Sequence, residues 1–270
     1  MADSRCKLRV VVKLGGSLLT EIELLHTMVA QLVEVQEQNH EVIVVHGGGK
    51  QIKQYLEQLD IPTCFHNGLR VTDLATMQVV QMVLAGLVNK NIVAAFAQKR
   101  RQAVGLCGGD GNSFVTRKFL DGQAEGFDYG YVGEVCTGNP ELINLLLSHR
   151  YIPVVACIGL GEETAYYNVN ADEMAAAAAI FCRANRLIFL TDVSGILDAE
   201  QKVIASLNRS EMNQLRSAGV VSEGMLPKTR ACERALDHGI RHIHIMGGRE
   251  PRCLTRVLLK NESLGTVIAN

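Results

Sequence analysis

Lys13 closes an apolar run, Val10-Val11-Val12-Lys13-Leu14, directly before Gly15-Gly16-Ser17. A cation set inside an apolar strand end needs an anionic partner. The glycines beside it let the backbone approach a ligand closely and tolerate positive φ. Successive N–H groups in such a turn, leading into a helix, form a cradle for anions. The arrangement recurs at Val44-Val45-His46-Gly47-Gly48-Gly49. Two cradles on one rim would suit the two ends of a phosphoryl transfer. Each turn alone also reads as a plain structural turn. Neither has the G-x-G-x-x-G spacing of dinucleotide sites or the G-x-x-x-x-G-K-[ST] spacing of a P-loop. Lys13 is the residue that tilts the pattern toward phosphate.

The elements that must hold these turns alternate between short apolar runs and helical periodicity. Helices are expected near residues 21–38 and 51–58, and an Ala-rich one over 172–182. Buried strands are expected at 10–12, 42–45, 103–106, 152–158, 186–191 and 242–246. Near-continuous apolar strands separated by helices imply a parallel sheet covered on both faces. Right-handed crossovers then place the strand ends and their glycine turns along one rim, where open α/β sheets bind ligands. The stretch 113–134 is less periodic and suggests a hairpin or loop excursion. A lobe boundary is placed near Arg183, dividing the chain into residues 1–183 and 184–270.

Composition excludes several other functions. The net charge is -1 over 270 residues, with no basic tract for nucleic acid or a membrane surface. Aromatics are only 5% and Trp is absent, which argues against base-stacking platforms. No uninterrupted apolar run reaches the length of a membrane span, and the N-terminus has no signal-peptide core. The eight cysteines are scattered without a C-x-x-C pair. They read as reduced thiols of a cytoplasmic protein. His242 and His244 alternate on an expected strand and read as packing residues, and Asp110 reads as a turn residue.

Three segments together resemble the amino acid kinase family. Lys13-Leu14-Gly15-Gly16-Ser17 is similar to its phosphate loop. Thr191-Asp192-Val193-Ser194-Gly195-Ile196-Leu197 is similar to its nucleotide loop, and Gly224-Met225-Leu226-Pro227-Lys228 to its lysine motif. Three more strings narrow the likeness to the branch that phosphorylates N-acetyl-L-glutamate. They are His46-Gly47-Gly48-Gly49, Asn67-Gly68-Leu69-Arg70-Val71-Thr72 and Asn168-Val169-Asn170-Ala171-Asp172. The resemblance runs from Lys13 to about Thr266 with the motifs in order. It implies a three-layer αβα sandwich around a mostly parallel sheet. The N-terminal lobe would bind N-acetyl-L-glutamate and form a homodimer; the C-terminal lobe would bind ATP with Mg2+.

The same resemblance assigns roles. Lys13 and Lys228 would be the catalytic cations, with Asp172 orienting both. On its own, Lys228 reads as a surface lysine and Asp172 as a helix-end charge. Gly48, Gly49, Arg70 and Asn168 would hold the acceptor, with Arg70 clamping a carboxylate through its guanidinium fork. A lone arginine is more commonly a surface ion pair. Gly15, Gly16, Asp192, Ser194, Gly195 and Leu197 would face the nucleotide. No carboxylate stands out as a metal ligand, so Mg2+ is expected to ride on the ATP phosphates.

Arginine-inhibited members of the family carry an extra N-terminal helix, and only about a dozen residues precede Lys13 here. The C-terminal Gly248-Arg249 and Leu264-Gly265-Thr266-Val267-Ile268 resemble the arginine-site region, but Arg252 stands where those members tend to have His. The expectation is a homodimer without strong arginine inhibition. A PII-type regulatory partner has no support in these residues. Two rival readings stand beside the main one: a kinase for a related acceptor such as carrier-bound aminoadipate, and an inactive arginine or nucleotide sensor that kept the fold.

Overall fold

The computed structural model describes residues 7–120, 126–161, 163–198, 200–217 and 225–269. Its strands are β1 (Arg9–Leu14), β2 (Glu41–His46), β3 (Phe65–His66), β4 (Leu69–Arg70), β5 (Ala103–Leu106), β6 (Val115–Lys118) and β7 (Val132–Thr137). They continue with β8 (Ile152–Ala156), β9 (Ile158–Leu160), β10 (Tyr166–Val169), β11 (Arg186–Thr191), β12 (Ser206–Leu207), β13 (Ile243–Gly247) and β14 (Thr266–Ile268). The principal helices are α1 (Ile22–Glu37), α2 (Gly49–Gln58), α3 (Leu74–Gln81), α4 (Asn89–Gln98), α5 (Glu141–Ser148) and α6 (Ala171–Phe181). Three more follow: α7 (Arg209–Ser217), α8 (Leu226–Asp237) and α9 (Cys253–Leu259).

The main sheet has the order β12-β14-β13-β11-β1-β2-β8-β5. Its centre is parallel, and β14 runs antiparallel to β13 near the edge. The central strands are rich in Val, Ile and Leu along their whole length because both faces are covered. The strand order turns at β1, which pairs with β2 on one side and β11 on the other. A crevice opens beyond the strand ends at such a switch point. Lys13 lies there, in register with Val45 of β2 and Phe189 of β11. The turn at Arg183 leads from α6 into β11, so the sheet is continuous across the lobe boundary read from the sequence.

The 113–134 excursion is more than a hairpin. β6 and β7 pair antiparallel and join β9 and β10 in a small closed barrel. The barrel delivers Asn168 at the end of β10, just before α6. The short β3–β4 hairpin carries Asn67 to Arg70 over the same rim.

α3 and α4 form one continuous helix, joined by a π-helical segment at Met82–Val88. This helix, Leu74–Gln98, is long and apolar enough to cross a membrane by length and composition. No uninterrupted apolar run revealed it, because polar residues punctuate it. Half of its most apolar window is packed inside the protein, as in a core helix. Leu74, Met82 and Leu87 nevertheless remain exposed on its outer face.

Candidate active site

Asp172 lies between two lysines. Lys13 Nζ is 3.0 Å from its Oδ1, and Lys228 Nζ is 2.9 Å from its Oδ2. Asp172 and Lys228 are buried and Lys13 nearly so. Each arrives from a different element: Lys13 from β1, Asp172 from the first turn of α6, Lys228 from the first turn of α8. Asn170 caps α6, its side chain accepting from the Asp172 and Glu173 N–H groups at 2.9 and 3.4 Å. That cap fixes where the carboxylate projects. The run Ala175–Ala179 is fully buried, and its small side chains let α6 lie close to the sheet and to α8. Arg234 of α8 ties the two helices through Glu173 at 3.4 Å.

The electrostatics of this triad are unbalanced. Burial alone would raise the Asp172 carboxyl, but the ammonium groups of Lys13 and Lys228 bring it down to about 2. Burial lowers Lys228 below its ordinary value, with Asp172 pulling the other way. A cation in the first turn of a helix also opposes the macrodipole, so Lys228 depends on Asp172 to stay there charged. Two ammonium groups share one carboxylate, which leaves a formal excess of one positive charge. Such a site favours an incoming anion.

The phosphate loop is built around this lysine. A Cβ on Gly15 would lie 2.5 Å from Lys13 Nζ, so a side chain there would push the ammonium group from its present place over the turn. Gly16 has φ +61, and a Cβ there would meet the Asp192 carboxylate. That carboxylate accepts from the Ser17 N–H at 3.1 Å and from the Ser17 hydroxyl. Asp192 thereby joins the phosphate loop to the loop after β11. Ser194 is exposed beside it. Gly195 is tightly packed, where a Cβ would sit 2.8 Å from Thr266 Oγ1, and Leu197 bridges to Val203. Asp192, Gly195 and Leu197 thus hold this loop's shape. Gly224 lies outside the described residues.

Gly48, Gly49, Arg70 and Asn168 come together in one pocket of about 300 Å³. Gly48 precedes α2 as its N-cap, and Gly49 begins the helix, so their N–H groups lie at its positive end. Neither donates to another backbone group among the described residues. Arg70 is buried, yet its partners are the Gly49 carbonyl at 3.2 Å, Thr63 Oγ1 at 3.4 Å and the Phe65 ring. It has no carboxylate partner among the described residues. A buried guanidinium held only by neutral groups is suited to a carboxylate ligand. Asn168 Nδ2 donates to Thr72 Oγ1 at 3.3 Å. Ala171, which precedes Asp172, lines the same pocket and joins it to the triad.

The amino acid kinase family model matches residues 8–247. The chain belongs to the amino acid kinase family. It is 42% identical over 265 residues to the acetylglutamate kinase of Solidesulfovibrio magneticus, covering 96% of this chain and 89% of that one. It is 39% identical to the acetylglutamate kinase of Caldicellulosiruptor bescii over 262 residues, covering 96% and 89% of the two chains. Among solved structures, N-acetylglutamate synthase from Neisseria gonorrhoeae, complexed with coenzyme A and N-acetyl-glutamate, superimposes with TM-score 0.85. Its identity is 22%, with 97% of this chain and 59% of that one covered, so it bears on the fold alone. The three-layer α/β sandwich expected from the resemblance is the fold observed.

Sequence reasoning passed over three features of this site. The Asn170 cap and the Ser17–Asp192 link lie inside motifs it had singled out. The third is a buried pair, His46 and Asn89. Asn89 lies 43 positions from His46, and no local pattern marks it.

Proposed function

We propose that this chain catalyses ATP-dependent phosphorylation of the side-chain carboxylate of N-acetyl-L-glutamate, giving N-acetyl-L-glutamyl 5-phosphate. This is the second step of arginine biosynthesis. The carrying observation is the pair of lysines on one buried carboxylate, next to a pocket with an arginine that lacks an acid partner. An acceptor carboxylate is already ionised near pH 7, so no general base is needed. The chemical obstacle is repulsion between two anions, and the protein's part is positioning and charge neutralisation. Arg70 would hold the α-carboxylate and Asn168 the same end of the acceptor. The Gly48 and Gly49 N–H groups would meet the acceptor carboxylate or the moving phosphoryl group.

Lys13 and Lys228 would neutralise charge on the phosphoryl group from two sides, with Asp172 keeping them apart and oriented. Gly15, Gly16 and Ser194 would face the ATP phosphates in the loops that Asp192 joins. Residues 1–183 would then serve the acceptor and 184–270 the nucleotide. ATP fits the residues present, because the triad has a spare positive charge beside a turn whose Gly16, at φ +61, favours glycine and leaves the backbone bare. Among the described residues no group of three His, Cys, Asp or Glu could hold a metal. Mg2+ would therefore be held mainly by the ATP phosphates, where it supplies further charge neutralisation.

The exposed Leu74, Met82 and Leu87 on the long helix support a homodimer through that face. A cytoplasmic location suits a chain whose substrates are ATP and an amino-acid derivative. The test is ATP-dependent hydroxamate formation with N-acetyl-L-glutamate, glutamate and carrier-bound aminoadipate as alternative acceptors. Product is expected with N-acetyl-L-glutamate at far higher kcat/KM than with the others. Turnover of carrier-bound aminoadipate alone would move the substrate assignment; no turnover of any acceptor would favour a sensor.

A further inference from the structure

His46 is fully buried, bears titratable chemistry and has no part in the roles above. Its surroundings determine its tautomer. The Val154 carbonyl can only accept, so Asn89 Nδ2, 2.9 Å away, donates to it. The Asn89 Oδ1 accepts from Lys90 Nζ at 3.2 Å, which fixes the same amide orientation. The second Nδ2 hydrogen then points at His46 Nε2, 3.1 Å away, and that nitrogen must accept. Burial pushes the ring down to about 4, so it is neutral through the working range and carries one proton. With Nε2 accepting, the proton is on Nδ1. That N–H donates to the Gly47 carbonyl at 2.9 Å.

The next peptide plane follows. No cis peptide occurs in the described chain, so the Gly47 C=O and the Gly48 N–H point in opposite directions. The Gly47 N–H is committed to the Leu14 carbonyl at 3.3 Å. Leu84 and Val88, from the π-helical segment, occupy the space where a Cβ on Gly48 would lie. The turn is thus packed against Leu84 and Val88, and Gly47, Gly48, Gly49 and Leu84 all line the pocket.

We propose that His46, oriented by Asn89, is a positioning residue that holds the Gly47 carbonyl inward and so aims the Gly48 N–H into the acceptor pocket. This deepens the proposed function, resting on the assignment of the Gly48 amide to the acceptor or phosphoryl group. Asn89 reaches its place directly after the π-helical segment, an element frequent at functional sites.

Two substitutions separate this role from a structural tie between β2 and the long helix. The amide nitrogen of His46→Asn overlays Nδ1 and keeps the donor to Gly47. In His46→Gln the carboxamide oxygen takes the place of Nε2 and accepts from Asn89, while the donor to Gly47 is lost. A structural tie to Asn89 makes glutamine the better substitute; positioning of the Gly48 amide makes asparagine the better one. Both proteins are compared by thermal melting, kcat and KM for both substrates, and crystal structure. His46→Asn is expected to keep kcat within about tenfold of wild type. His46→Gln is expected to lose about 10²-fold, the scale of a misplacement near 1 Å, with KM for ATP unchanged. Its structure should show the Gly47 carbonyl turned from its present direction. Glutamine performing as well as asparagine, or a Gly47–Gly48 peptide unmoved in His46→Gln, overturns the proposal. The peptide direction is read whatever the acceptor, so a wild type inactive with N-acetyl-L-glutamate sinks only the activity assignment.

Discussion

Asp172 is, among the described residues, the carboxylate that pairs with both Lys13 and Lys228, and the three residues are not equivalent in what their loss does. Removing either lysine leaves the carboxylate compensated by the other. Removing Asp172 leaves two buried ammonium groups facing each other. Loss of one partner from a buried ion pair costs about 3–5 kcal/mol when it strands a charge. Asp172→Ala should therefore melt far lower than Lys13→Met or Lys228→Met, while all three lose turnover. Equal melting temperatures across the set would mean that the carboxylate does not hold the lysines. Lys13 was legible in the sequence because a charge interrupting an apolar strand needs a reason. Asp172 and Lys228 were legible only through the family resemblance, since each is unremarkable at a helix start. Their meeting depends on α6 and α8 packing side by side through an alanine face.

Two helix starts and two glycine turns make the site, and they differ in how much room they leave. A Cβ on Gly48 would lie 2.6 Å from Leu84, whereas one on Gly49 would meet nothing within 4 Å. Gly48→Ala should lower kcat/KM for the acceptor by at least tenfold; Gly49→Ala, which keeps its N–H, should stay within about threefold, the reference for a single well-aligned N–H donor being about 10²–10³ in kcat. Steady-state kinetics on the two variants checks this, and equal losses would contradict it. Six of the eight main-sheet strands, β1, β2, β5, β8, β11 and β13, could be read directly from their apolar runs, while the short strands β12 and β14 at one edge could not. The barrel strands could not. They are short and mixed, and β10 pairs with β7 and β9, contacts that no local pattern encodes. The π-helical segment was hidden for a similar reason: Met82–Val88 has ordinary helical composition, and the wider turn only appears where Asn89 must reach His46.

At the scale of the molecule, His46 and His244 are buried and held neutral, and the long helix exposes an apolar face. Burial pushes both His46 and His244 from 6.5 down to about 4. Their folded values lie below their unfolded ones, so between about 6.5 and 4 the unfolded chain binds protons that the folded chain does not. Stability is therefore lost as pH falls through that window, on the order of 3 kcal/mol per histidine. Chemical denaturation at stepped pH should show the loss beginning below about pH 6.5. His244→Asn should remove part of the slope; a stability flat from pH 7 to 4 would exclude buried neutral rings. The helix face makes a separate prediction. Met82→Asp should convert a dimer to a monomer in sedimentation experiments with little change in melting of the isolated subunit; a wild type that sediments as a monomer would remove the dimer.

The central claim is that two lysines sharing one buried carboxylate drive the transfer of a phosphoryl group between anions. Single-turnover hydroxamate formation, with ATP and N-acetyl-L-glutamate both shown to be bound by calorimetry, tests it on wild type, Lys13→Met and Lys228→Met. Each variant is predicted to bind both ligands within a few-fold of wild type and to form product about 10²–10³ times more slowly. A Lys228→Met or Lys13→Met protein that turns over within threefold of wild type would contradict it.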